Sequence, residues 1–529
     1  MLSSLRRASA DLALSAMAIA VGMVSLSYPF GRDQGLYFYV AREWVQRGAI
    51  PYRDVLDHKT PGIYILYAAG VKLFGPHQWG IRLFDLIAIA VVGMVVAELT
   101  ARRGEPVRSG LRGAAHLTLA VLYYGYLDFW NTAQSELYYM GFAFASVAAA
   151  YRIRRETQAA AIAGVLGGAA LVMKPPAMTI LVVAVICLAK RGLAATEGQE
   201  RNARIGAVIK RWLAFGAGGA LVPGVVGLYF ASHHAVGPML DIIVGANGYY
   251  VKHERTVNDL GDFAGAIFGY PWCYFPLWPA LLVYLFVTLR RTRHDKKSVS
   301  FERHSLAIAL WAASFASVAM QGKWYLLHYT VMIASGALIA ANALRTALER
   351  WPAKPWLPKL AFAPVIGLLW VGAMASWHGP NMWRLGNVAA YRYWSGADAR
   401  EVFLDRFQVP AIEFWYLESE QVGLWLRAHT SPEDTVAVRG FQPEIYAVAE
   451  RRHAGRFFWT TFITSPVRAY RRREWLDEDR DALVAHPPRF AVALRRIERG
   501  PDSVGFFEDL GYRQVETTNN FVILERATK

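Results

Sequence analysis

Residues 158–189 read QAAAIAGVLGGAALVMKPPAMTILVVAVICLA, and how this run folds decides the architecture of the chain. Lys174 is its one charge. A run so apolar reads as helix in hydrocarbon. As a single helix it would extend ~48 Å at ~1.5 Å per residue, well beyond a hydrocarbon core of ~30 Å. Lys174-Pro175-Pro176 stands at its middle, where proline interrupts helical hydrogen bonding and a charge would be stranded in lipid. A helical hairpin turning at Lys174 resolves both conflicts. It predicts spans at 158–173 and 175–189, with the turn at one membrane surface and both outer ends at the other.

The pattern extends in both directions. Further spans are predicted at 11–30, 80–100, 113–127, 135–151, 212–231, 270–289, 305–320, 326–344 and 360–376, about eleven in all. With 54% of its 529 residues hydrophobic, the chain is too apolar for a soluble protein of this length. Its net charge of +16 could signal nucleic-acid binding, but the excess is not in the polar part. Residues 418–529 hold 17 basic and 17 acidic side chains. The surplus lies in short loops of the apolar part: Arg102 to Arg112, Arg152 to Arg155, Lys190 to Arg211, Arg290 to Arg303 and Arg345 to Lys359. Every second loop is basic. This positive-inside alternation makes those loops cytoplasmic, the N-terminus inside and the C-terminus outside, and it argues against nucleic acid as a partner. The first span follows Arg6 and Arg7 as a signal peptide would, but YPFGRD at 28–33 offers no small-residue cleavage site, so a retained helix is expected. Cys187 and Cys273 fall in different apolar segments and read as small buried hydrophobes.

The expected fold is therefore a polytopic α-helical membrane protein with a small extracytoplasmic α/β domain at its C-terminus. The transmembrane domain covers 1–376, a linker 377–417 and the α/β domain 418–529. In the last, strands are expected at 435–439, 456–459, 489–494 and 521–526, and helices at 443–450, 466–485 and 502–510. The charge runs at 471–473 and 477–479 share one of these helices and read as a solvated face. Two outer loops are long. The second, 233–268, is polar. The first, 31–78, mixes Tyr37, Phe38, Tyr39 and Trp44 with charges at helical spacing, as amphipathic helices at an interface would.

Charges at the outer ends of spans carry the candidate chemistry. Asp33 falls at the exit of the first span, where a carboxylate meets lowered dielectric and can serve as a general base. Its structural alternative is an interfacial acid paired to Arg32 or Arg53. Lys59 follows on a Pro-Gly turn, Lys174 tips the hairpin, and Lys323 and His328 stand at the outer end of the span 326–344. Each is a cation available to a phosphate, or an interfacial anchor. Asp57, His58, Glu136 and Tyr37 are further polar groups at these outer positions. The Asp-x-Asp at 479–481 lies in the charged helix and reads as background; no Walker A sequence or zinc-ligand spacing appears.

RDQG at 32–35, with PYRD at 51–54 and DHKTPG at 57–62, resembles the first outer loop of GT-C glycosyltransferases. The resemblance is to the bacterial branch related to protein O-mannosyltransferases and aminoarabinose transferases. It continues through Asn131-Thr132 to Glu136, Leu327-His328-Tyr329 and Pro443-Glu444-Ile445-Tyr446. It implies a polyprenyl-phosphate sugar as donor, Asp33 as catalytic base and Lys59 as a phosphate-binding lysine; on this reading Asp57, His58, Glu136 and Tyr37 are the candidates for orienting sugar and acceptor. The product would be a glycosylated envelope glycan, lipid or protein, through hexosyl or pentosyl transfer in the bacterial inner membrane. Many relatives carry Asp-Glu where this chain has Asp33-Gln34, so Asp33 is the sole acid there and a metal role for the pair loses its second ligand. The sequence fixes no cofactor and leaves a divalent metal open. One base without a second carboxylate as nucleophile implies inversion at the anomeric carbon. The rival reading is a transporter or flippase of polyprenyl-linked glycans, against which the spans show no paired ionisable residues and no internal repeat.

Overall fold

A computed structural model describes residues 2–254, 261, 264, 299–350, 387–495 and 502–527. The expected spans 270–289 and 360–376, and Cys273, lie outside these. The helices along the apolar part are α1 (Leu2–Met23), α2 (Arg32–Arg47), α3 (Pro61–Phe74), α4 (Gln78–Leu99), α5 (Leu111–Tyr126), α6 (Ser135–Arg152), α7 (Glu156–Met173), α8 (Met178–Ala195) and α9 (Arg201–Ser232). Then come α10 (Val299–Gln321) and α11 (Thr330–Arg350). Among the described residues, seven helical stretches are long and apolar enough to cross a membrane. The predicted break in the run 158–189 is real: α7 closes at Met173, and a 3-10 turn, Pro175–Ala177, leads into α8. The two shorter predicted spans, 113–127 and 135–151, are present as α5 and α6.

The chain forms two compact units. One contains residues 1–26, 82–226 and 256–388 and is the helical bundle. Large apolar side chains face outward on α4 (Ile87, Val91, Met94) and α8 (Met178, Val182, Ile186) at the three- and four-residue spacing of a helix face. Such stripes are what a lipid-facing surface requires. Helix α9 packs on α7 with almost no space between backbones. A Cβ added at Gly168 would collide with the Gly219 carbonyl oxygen, and one at Gly218 with that of Ala161. Small residues permit this approach, which lipid-embedded helices use to gain dispersion contact.

At one end of the bundle the basic loops meet. Arg112 (2.8 Å) and Arg152 (3.0 Å) both pair with Glu98, Arg345 with Glu105 (3.0 Å) and Arg211 with Glu156. Loops that the charge alternation puts on a common side are thus joined by ion pairs. The sequence reading missed one feature of this unit. Arg82 and Asp85, one turn apart on α4, are fully buried, so the spans do contain paired ionisable residues. Arg82 donates to Thr132 Oγ1 (2.6 Å) and the Phe129 carbonyl (2.9 Å). Asp85 accepts from Tyr123 Oη (2.9 Å) and the Ala133 amide (3.1 Å). The pair is spent on holding the loop before α6.

The second unit joins residues 27–81, 227–255 and 389–529, so the first outer loop folds with the C-terminal segment. Its C-terminal part contains α12 (Tyr416–His429), α13 (Pro443–Ala449), α14 (Arg472–Ala485) and α15 (Ser503–Asp509). A two-stranded ribbon pairs β1 (Gln408–Val409) with β2 (Phe414–Trp415). The main sheet has the order β3 (Val436–Arg439), β4 (Phe490–Leu494), β6 (Phe521–Arg526), β5 (Tyr512–Thr517). Strands β3 and β4 are parallel, and the other two pairings are antiparallel. Ala437, Ala491, Ala493, Val522 and Leu524 meet Leu483, Phe507 and Tyr512 in its core.

Several details differ from expectation: helix α12 was not among the expected helices, and the β1–β2 ribbon lies in the expected linker. Strand β5 was not anticipated because its sequence, YRQVET, is polar; after Tyr512 all its residues are exposed, as an edge strand's can be. Residues 456–459 are not a strand. Phe457, Phe458 and Trp459 are buried, but Phe458 stacks on Tyr39 of α2 (4.1 Å) and Trp459 lies on Phe462 (5.2 Å), so their apolarity serves aromatic packing. The helix expected over 466–485 begins only at Arg472, because Tyr470 and Arg471 turn to bond Asp241.

Gly168→Leu should lower the melting temperature of the protein in detergent by several degrees. The side chain would meet backbone that cannot move aside, and overpacking of this kind costs ~1–3 kcal/mol. An unchanged melting curve would show that α7 and α9 are not packed this closely.

Candidate active site

Asp33 lies in the first turn of α2, where the unpaired amides and the helix dipole favour a carboxylate. Lys59 precedes α3, whose N-cap is Thr60 and first residue Pro61. The Lys59 ammonium stands 3.6 Å from Asp33 Oδ2, with 22% and 19% of the two side chains exposed. Beneath it, 5.9 Å away, is the face of Tyr37. The pair is thus accessible on one side and seated on buried aromatic rings on the other. Tyr37, Tyr64 and Tyr67 pack edge to face there.

The backbone of Lys59 is held at both polar groups. Its carbonyl accepts from Tyr52 Oη (2.8 Å) and its amide donates to Tyr64 Oη (3.1 Å). Tyr52 is buried in the left-handed region at φ 71°, a strain typical of over-determined sites. Tyr64 in turn donates to Asp57 Oδ2 (2.7 Å), and burial raises its phenol far above the usual range, so it stays a donor. Asp57 Oδ1 accepts from the amide (2.7 Å) and Nδ1 (3.0 Å) of His58. Burial alone would raise the Asp57 carboxyl, but His58, Lys59 and Tyr64 hold it below its ordinary value. Burial, aided by Lys59, depresses the imidazole of His58 and outweighs the pull of Asp57. The pair therefore rests as carboxylate and neutral imidazole. The ring of His58 lies parallel to Phe462 (5.7 Å, 15°) and against Trp459 (5.6 Å).

Two buried arginines of α2 fasten this site to the sheet portion of the same unit. Arg32 donates to the carbonyls of Ile412 and Glu413 (2.8 Å to the latter) and lies over Phe441. Its burial pushes the guanidinium down to about 10, against the pull of Glu444, Glu413 and Asp33. Arg42 donates to the carbonyls of Tyr446 and Arg451, 2.8 Å each. Gly35 leaves room for Pro443, whose Cγ would stand 2.9 Å from an added Cβ. The PEIY run at 443–446 is explained by this contact. Pro443 packs on Gly35, Glu444 accepts from Ser419 (2.9 Å), and Tyr446 both faces Tyr39 and accepts from the Val438 amide (2.8 Å). Burial raises the Glu444 carboxyl to about 7.

The helical unit has a second cluster, at the end of the bundle opposite its basic loops. Glu136, in the first turn of α6, is fully buried. Its Oε1 pairs with Lys174 at the hairpin tip and lies 3.9 Å from His328 Nε2; Ser135 donates to its Oε2 (3.0 Å). Lys323 is also buried and precedes Trp324, which is left-handed at φ 52°.

The predicted residues thus fall into two groups. Asp33, Tyr37, Asp57, His58 and Lys59 come together in one unit, and Glu136, Lys174 and His328 in the other. Asp33 pairs with Lys59, not with the arginines weighed as its structural partners: Arg32 turns to carbonyls, and Arg53 pairs with Asp54 (2.7 Å). Among the described residues no three His, Cys, Asp or Glu side chains gather as metal ligands would. Sequence reasoning overlooked Tyr52, Tyr64, Arg82, Asp85 and Arg42. Arg82 and Asp85 carried a signal, two charges three residues apart at the start of an apolar helix; Tyr52 lay within the PYRD run with no role assigned to it, and Tyr64 carried no signal.

The depressed imidazole makes a pH prediction. An unfolded histidine binds its proton near pH ~6.5, whereas folded His58 resists protonation, so the unfolded chain takes up more protons in acid. Stability should be full above that pH and fall as pH drops below it. His58→Phe, which keeps the stack on Phe462, should flatten the decline of melting temperature between pH 6.5 and 5. His453, depressed by burial to about 4, adds a decline of its own. An identical slope in the variant would remove His58 from this linkage.

Comparison with known proteins adds to this geometry. Residues 58–209 match the family model of dolichyl-phosphate-mannose-protein mannosyltransferases. The structure resembles two crystal structures of ArnT from Cupriavidus metallidurans. The one bound to undecaprenyl phosphate is 14% identical with a TM-score of 0.52, and the apo state is 16% identical with a TM-score of 0.53. In both cases 97% of this chain and 97% of the other are covered. No curated protein matches the sequence significantly. The chain therefore has the fold of ArnT, and its residues 58–209 carry the sequence pattern of the dolichyl-phosphate-mannose-protein mannosyltransferase family.

Proposed function

We propose that this multi-pass membrane protein is an inverting glycosyltransferase. It moves a hexosyl or pentosyl unit from a polyprenyl-phosphate donor to an acceptor hydroxyl outside the cytoplasm, on a cell-envelope glycan, lipid or protein. The observation that carries this reading is the accessible Asp33–Lys59 pair, 3.6 Å apart and anchored on buried scaffold. One ArnT crystal structure with the same fold holds undecaprenyl phosphate, the class of carrier this reaction uses.

The chemistry follows from the two charges. The acceptor oxygen attacks the anomeric carbon as Asp33 takes its proton. The bond from that carbon to the phosphate oxygen breaks, and its electron pair leaves with the phosphate. Negative charge grows there, and the Lys59 ammonium answers it. At rest Lys59 is neutralised by Asp33. An arriving phosphate competes for the ammonium and leaves the carboxylate ready to accept a proton. Asp57, His58 and Tyr64 position Lys59 through its backbone, and Tyr37 supports the ammonium from below. Lys174, His328 and Lys323 are further candidates for the donor phosphate, with Glu136 holding the first two until it arrives. A single displacement with one base inverts the anomeric centre.

Asp33→Asn should lower turnover ~100- to 10,000-fold while donor binding persists. Lys59→Ala should impair donor affinity and turnover together, because the charge it meets is present before reaction and grows during it. The assay supplies purified protein with a polyprenyl-phosphate sugar and, separately, the matching nucleotide sugar. Transfer from the nucleotide sugar alone, or retention of the donor's anomeric configuration, would overturn the mechanism; donor movement across the membrane without transfer would favour a flippase. We also infer an N-terminus inside and the C-terminal domain outside the bacterial inner membrane, from the charge alternation. Reporter fusions should place residue 198 in the cytoplasm and residue 529 outside; a cytoplasmic 529 would refute this orientation.

A further inference from the structure

The C-terminal part of the second unit contains a cleft of about 660 Å³, formed by the β1–β2 ribbon, the start of α12 and the β5–β6 hairpin. Its volume is in the range of pockets that hold small ligands, ~300–1,000 Å³, but its lining is unusual for one. It is mainly polar, with one indole, that of Trp415. Trp415 is half-buried and braced edge to face by Phe521 at 6.2 Å, so its ring is held fixed. Around it stand Asp405, Glu418, Gln421, Asn519 and Arg495.

The cleft is built before any ligand arrives. Glu418 accepts from both the amide (2.7 Å) and the side-chain nitrogen (2.5 Å) of Asn520, and the Arg495 amide donates to the Asn520 carbonyl (2.8 Å). These bonds tie the hairpin turn to α12 and to the end of β4. Asp405, Gln421 and Asn519 stay exposed, and their side chains make no hydrogen bond among the described residues. Their planar amide and carboxylate groups offer adjacent donors and acceptors that are still open.

A rigid aromatic face flanked by planar amides and carboxylates matches one ligand chemistry. A sugar ring presents an apolar C–H face to the aromatic and a rim of vicinal hydroxyls to groups that donate and accept side by side. A lipid chain would leave the polar lining unpaired, at the cost of buried unsatisfied groups. A polyanion would meet Asp405 and Glu418 against the single cation Arg495. We propose that this cleft binds a short, uncharged or amino-bearing oligosaccharide and so holds the acceptor glycan of the enzyme. The acceptor role rests on the transferase reading above; saccharide binding does not.

The test uses the full chain in a non-glycoside detergent, applied to an array of neutral, amino-bearing and acidic oligosaccharides, with calorimetry on the strongest binder. Neutral or amino-bearing glycans should bind, and Trp415→Ala should weaken them at least tenfold. Gln421→Ala, at an exposed position that leaves the fold intact, should weaken them several-fold. Asp33→Asn should bind as the wild type does while transferring ~100- to 10,000-fold more slowly, which separates this site from the reaction centre. Binding of no glycan, a preference for acidic ones, or equal binding by both cleft variants would overturn the proposal and leave the transferase reading standing. Glycan binding without any transfer activity would refute the acceptor role and the transferase reading and keep the cleft as a saccharide site.

Discussion

Arg32 and Arg42 are buried in one short helix, and a buried guanidinium has to be met by acceptors or the fold fails. Besides the buried Glu43 carboxylate beside Arg42 (2.9 Å), the acceptors are main-chain carbonyls of Ile412, Glu413, Tyr446 and Arg451, some 400 positions along the chain. Removing the partners of a buried charge costs ~3–5 kcal/mol, a large part of any protein's net stability. The loop after the first span can therefore take up this structure only with the C-terminal segment wrapped around it. Asp33 is the residue after Arg32, so the anchoring that satisfies one charge orients the next. The C-terminal segment is in this sense part of the Asp33–Lys59 site even where it contributes no group to the pair.

Both units use the same device for charges near a low-dielectric region. A carboxylate in the first turn of a helix is paired with a cation from another segment: Asp33 on α2 with Lys59, and Glu136 on α6 with Lys174 and His328. Each pair satisfies two ions without a ligand. In the proposed mechanism each also supplies a cation for an arriving phosphate, since Coulomb attraction to a second anion is strong where water is scarce. The difference is exposure. Asp33 and Lys59 each remain about one-fifth accessible, whereas Glu136 is sealed, which makes Asp33 the carboxylate fit to receive a proton from an incoming molecule.

Aromatic residues do a second task in the outer-loop unit. The run from Tyr37 through Tyr64 and Tyr67, and that from His58 through Trp459 to Phe462, place flat, rigid rings under the polar groups. A ring orders few torsions for the area it buries, so it fixes its neighbours at low entropic cost. Hydrogen bonds then do the fine positioning, from Tyr52 and Tyr64 to the Lys59 backbone. The strained φ of Tyr52 fits this arrangement, being tolerated because packing and a hydrogen bond both hold it.

The sequence by itself determined the elements whose signal is local. Residue hydropathy and the Lys174-Pro175-Pro176 break located α7 and α8, because paired prolines interrupt helical hydrogen bonding and a charge between two half-spans would be stranded in lipid. Loop charges grouped the helix ends that the structure joins by ion pairs; span ends located Asp33 and Glu136, and a Pro-Gly turn in the first outer loop located Lys59. Polar β5 escaped because an edge strand needs no apolar face, and the aromatic run at 456–459 misled because burial has the same signature in a loop as in a strand. Tertiary structure alone decided the partners: Lys59 for Asp33, Glu136 for Lys174, distant carbonyls for Arg32 and Arg42. Such pairings depend on which segments meet in space, and a charge in a sequence announces only that it must be satisfied, not by whom.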